Sequence, residues 1–150
     1  VTTPSPTSPA GDFNAVLSET IDLLEEVKQA DWKVPANHPL HGELDRLRDD
    51  LDRWNAMLAE RDHHFGLSAL SFMPSLIVRT PTNLWKGDPT DGEVGALVDD
   101  HLRRLATHAA LVRPELNDEH SRQVFEDLER GIDLHRKVLS QIVAGSSPSI

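Results

Sequence analysis

Residues 37–61 read NHPLHGELDRLRDDLDRWNAMLAER. Leu40, Leu44, Leu47, Leu51, Trp54 and Leu58 recur in this run at steps of four and three, the period that lines one face of an α-helix with apolar side chains. Pro39 suits a first helical turn, where the missing N–H has no intrahelical acceptor to satisfy. The polar positions between the leucines are mostly Asp, Glu and Arg, so the opposite face belongs in water.

The same period occurs three more times. Upstream, Phe13, Leu17, Ile21, Leu24 and Val27 define a helix over 12–30. Downstream, Thr90-Asp91-Gly92-Glu93 has capping-box spacing. Val94, Val98, Leu105 and Val112 then follow on one face until Pro114. A last helix opens at Asn117 or Asp118, carries Val124, Leu128, Ile132, Leu139 and Ile142, and reaches Gly145 as its C-terminal cap. No period-two alternation competes. The reading is an all-α four-helix bundle of two antiparallel helical hairpins, with a long, partly helical crossover between helices 2 and 3.

A chain of 150 residues with 38% hydrophobic side chains supports one core. The organisation expected is a Pro/Ser/Thr-rich arm at 1–11, a single helical domain at 12–144 and a tail at 145–150. Fifteen basic against twenty-five acidic residues give a formal charge of -10. That excess disfavours nucleic acid as a partner. No apolar run is long enough for a membrane span and no secretory pattern opens the sequence, so the expectation is a cytoplasmic protein. The absence of cysteine removes disulfides, thiolate metal sites and cysteine nucleophiles.

Two kinds of function fit these residues. The first rests on 65–78, FGLSALSFMPSLIV, which holds no charged residue. Leu67, Leu70, Phe72 and Met73 read either as a short fifth helix ending before Pro74 or, with Phe65 and Trp85, as a contact surface or lid. The second reading makes the chain a binding or accessory protein for a protein partner or an apolar small molecule; a homodimer is one assembly it would build. An acidic inhibitor or immunity-type protein docking on a basic target is a variant of it.

The alternative is a His and carboxylate metal bundle holding iron or zinc, as an enzyme or a carrier. Eight histidines invite it. Glu60-x-x-His63 is a unit that di-iron carboxylate bundles use twice, and it occurs once here. His101 and His108 are seven apart on helix three, about 10 Å along the axis, too far for one ion. Folding helix four back would offer Glu126 or Glu129 to His101 and His120 to His108, with His135 at neither level. His38 and His41 stand three apart at the start of helix two. The acids Asp45, Asp49, Asp50 and Asp52, interleaved with Arg46, Arg48 and Arg53, read as a solvated face stitched by ion pairs. Phosphate-binding glycine loops and catalytic serine or zinc-protease motifs are missing.

Overall fold

The structure, a computed structural model, describes residues 9–64 and 89–146, with side chains for 13–61 and 89–145. Its helices are α1 (Pro9–Lys33), α2 (Pro39–His64), α3 (Asp91–Val112) and α4 (Glu119–Ser146). A 3-10 turn, Arg113–Glu115, joins the last two. There is no strand among the described residues.

Each helix end has a local cause. Pro35 disfavours helical geometry at Val34, so α1 stops just before it. His38 then caps α2: its Nδ1 accepts from Leu40 N at 3.0 Å and its carbonyl from His41 N at 3.0 Å, with Pro39 in the first position. Thr90 and Glu93 make the expected capping box, Thr90 Oγ1 accepting from Glu93 N at 3.1 Å. Pro114 turns the end of α3 into the 3-10 segment. Asp118 starts α4 by accepting from Ser121 N at 3.0 Å.

Two boundaries differ from expectation. α1 begins at Pro9, so three residues assigned to the arm are helical, because proline is as well tolerated in this first turn as in α2. α4 runs through Gly145 to Ser146, which places the start of the expected tail in the helix.

The six apolar residues quoted from α2 are each no more than 1% exposed. They pack with Phe13, Leu17, Leu24 and Val27, with Val94, Val98, Leu102 and Leu105, and with Phe125, Leu128, Ile132 and Leu139 in one core. At about 1.5–3 kcal/mol per buried large apolar side chain, this burial is the main favourable term against chain entropy.

α1 packs on α2 and α3, and α4 packs on α2 and α3. Partner numbers set the directions. Glu26 meets His101 while Glu19 meets His108, so α1 and α3 are antiparallel. Glu43 meets His135 while Arg61 meets Asp118, so α2 and α4 are antiparallel as well. The end of α2 and the start of α3 are therefore far apart. α2 is 26 residues long, roughly 39 Å at about 1.5 Å per residue, and α3 starts beside its beginning, where His38 Nε2 lies 3.6 Å from Asp91. This is the arrangement that calls for a long crossover. Residues 65–88, with Phe65, Leu67, Leu70, Phe72, Met73 and Trp85 among them, lie outside the described residues.

Candidate metal centre

The hairpin of α1 and α2 brings three ligand-type side chains together at one end of the bundle. Asp31 comes from the last turn of α1, and His41 and Asp45 from the first two turns of α2. Four residues apart, the last two share a face. One ligand atom from each of the three lies within 4.8 Å of the others. His41 Nδ1 donates to the Val34 carbonyl at 3.2 Å, which leaves the imidazole lone pair on Nε2, 3.6 Å from Asp45 Oδ2.

Asp31 is 5% exposed. Its Oδ1 lies 3.1 Å from His41 Nδ1, but that N–H is directed at Val34, and Oδ1 is buried without a hydrogen-bond donor. Burial raises the Asp31 pKa first, and the hydrogen bond and charge of Asp45 add to it. His41 and Arg48 pull the other way, and the carboxyl is pushed up to about 6. A buried acceptor without a donor and two facing carboxylates form a donor set that a divalent cation would satisfy. Asp45 is exposed, so the cluster opens to solvent on that side.

The histidines and acids named from sequence go elsewhere. His101 hydrogen-bonds Glu26, and His108 Nδ1 is 3.1 Å from Glu19; both carboxylates belong to α1, and Glu126, Glu129 and His120 of α4 partner neither. α3 turns this face toward α1, and Glu129 is taken by Arg113 at 2.9 Å. Glu60 and His120 are exposed, and the side chain of His63 lies outside the described residues. His135 is buried between Glu43 (Nδ1 to Oε1, 2.5 Å) and Asp50 (Nε2 to Oδ2, 2.6 Å). Because these two acids take opposite ring nitrogens, they clamp the imidazole between α2 and α4 and do not converge on a common ligand point.

The acidic face of α2 is only partly the solvated surface expected. Arg46 bonds Glu43 and Arg53 bonds Asp50 along the helix. Asp45, however, turns to His41, and Arg48 reaches across to Asp31 at 3.8 Å. Of the cluster, His41 is read from sequence beside His38 and Asp45 as part of the ion-paired face, with nothing joining the two. Asp31 gave no signal, since only the hairpin brings it within reach.

The bundle has counterparts among solved structures. Dps from Microbacterium arborescens, in a high iron form, matches with a TM-score of 0.78 and 20% identity over 96% of this chain and 98% of that one. A point mutant of Mycobacterium smegmatis Dps1 matches with a TM-score of 0.76 and 18% identity, over 95% and 99%. The fold is the four-helix bundle of Dps. No family model matches the chain, and no curated protein does. Within the Dps-like bundle, the Asp31, His41 and Asp45 cluster is the one group of three or more potential metal ligands among the described residues. No described helix is long and apolar enough to cross a membrane.

Proposed function

We propose that this chain is a metal-binding helical bundle that takes up a divalent transition metal, iron in the first place and zinc in the second, at Asp31, His41 and Asp45. The observation that carries the reading is the buried Asp31 Oδ1, which has no hydrogen-bond donor and faces a histidine and a second carboxylate. His41 would supply Nε2, the nitrogen that Val34 leaves free, and the two aspartates would neutralise the ion. Three protein donors leave the remaining coordination positions to water or to an incoming ligand. The likeness to a Dps captured in a high iron form supports iron as the cargo. An excess of ten negative charges concentrates cations near the surface.

This reading takes the place of the partner-presenting one, whose named residues all lie within 65–88. The test is metal retention. Protein made without a His tag or chelator, and then titrated with iron(II) under anaerobic conditions, should hold metal that Asp31→Asn combined with His41→Ala does not. Equal metal content in the two proteins would refute the assignment.

A further inference from the structure

The cluster contains its own cation. Arg48 stands three residues beyond Asp45 and seven beyond His41, on the same stripe of α2. Its guanidinium Nη1 lies 3.8 Å from Asp31 Oδ2. We propose that Arg48 is a built-in competitor for the metal: it partly neutralises the two carboxylates while the site is empty of metal and must give way when a divalent ion enters. The inference rests on the function proposed above and adds the residue that sets the affinity of that site.

Charge makes the case. In the form that ligates a metal, two carboxylates and an imidazole carry two negative charges, and Arg48 would cancel one of them. A divalent ion entering beside Arg48 would leave an excess positive charge next to a buried aspartate, whereas an ion that displaces it leaves the site neutral. The guanidinium stays charged at any working pH, so it cannot step aside by losing a proton. It can move. The Arg48 side chain is 39% exposed, and a long flexible stem lets the head group turn into water while the stem stays on the helix. At 3.8 Å the contact is an ion pair and not a short bidentate clamp, so little hydrogen bonding is lost on withdrawal.

The opposite role, Arg48 as a positioning residue that holds Asp31 ready for the metal, predicts the opposite sign, which makes the test sharp. Cobalt(II) is titrated into the full chain at fixed pH and followed by calorimetry and its visible absorption, for the wild type, Arg48→Gln, Arg48→Lys and Asp31→Asn. Arg48→Gln should bind about ten-fold more tightly, the scale of one unit charge at about 4 Å in a partly exposed setting. Arg48→Lys, which keeps the charge, should bind like the wild type. The gain should shrink in high salt. Unchanged or weaker binding by Arg48→Gln, with Asp31→Asn still abolishing binding, would overturn the role of Arg48 alone. Absence of binding in all four proteins would overturn the metal site and this inference with it.

Discussion

Gly131 of α4 lies under the Trp54 indole of α2 so closely that a Cβ at position 131 would stand 2.4 Å from Trp54 Cζ2. A glycine inside a helix costs about 1 kcal/mol relative to alanine, and here the close approach of a large side chain accounts for it. Gly131→Ala should therefore destabilise the bundle despite its better helix propensity. The net loss expected is about 1–2 kcal/mol, from overpacking that typically costs about 1–3 kcal/mol. Urea denaturation checks it. The double variant with Trp54→Leu should lose less than the two single losses added together, because the two sites are in contact.

His135 supplies a pH signature. Burial lowers its pKa, but hydrogen bonds from the ring to Glu43 and Asp50, with the charges of both acids, outweigh that effect and hold it above the ordinary 6.5. Arg46 and Arg53 lie on the far sides of those acids. A folded pKa above the unfolded one gives stability that is complete below about 6.5 and is lost as pH rises through the folded value. The melting-temperature gap between the wild type and His135→Gln should be widest in mild acid and narrow with rising pH. In an NMR titration, Glu43→Gln should move the His135 midpoint down.

The fold was legible because helical period is a local property: each stripe from Phe13 to Ile142 is read within its own segment. The site was not, because its members meet only after folding. His101 was assigned acids from α4 by counting back along one hairpin, whereas the bundle sets that face of α3 against α1 and delivers Glu26. His135 occupies a seam position between Ile132 and Leu139, where its burial says nothing until Glu43 and Asp50 are seen to satisfy both nitrogens. Asp31 stood unremarked beside Trp32, and its chemistry follows from a contact made across the turn to His41.

Asp118 ties the start of α4 to the end of α2. Besides capping through Ser121 N, it accepts from Ser121 Oγ at 2.9 Å and from Arg61. The Ser121 hydroxyl does most to lower its pKa; desolvation opposes this, and backbone bonds and Arg61 add to the lowering. The stability it contributes is therefore present above the ordinary 3.8 and lost as pH falls through the folded value. Asp118→Ala should lower the melting temperature at neutral pH and cost progressively less below pH 3.8. Asp118→Asn, which keeps a capping oxygen, should recover part of the neutral-pH loss.

Within the cluster of Asp31, His41 and Asp45, Asp31 with its buried carboxylate is a liability to the metal-free fold. Its carboxyl titrates at about 6 in the folded chain against 3.8 unfolded, so ionising it works against folding: the stability linked to its protonated form is full below 3.8 and lost as pH rises through about 6. Metal-free Asp31→Asn should therefore match the wild type in acid and melt at a higher temperature than it at pH 7. Adding metal should reverse the order, since an ion that binds only the folded wild type stabilises it by mass action and leaves the variant unchanged. Thermal melts of both proteins at pH 4 and pH 7, with chelator and with iron(II) or zinc, read all four corners of this trade. An Asp31→Asn variant less stable than the wild type in chelator at pH 7 would show that the buried carboxylate is already satisfied by the protein and has no need of a cation.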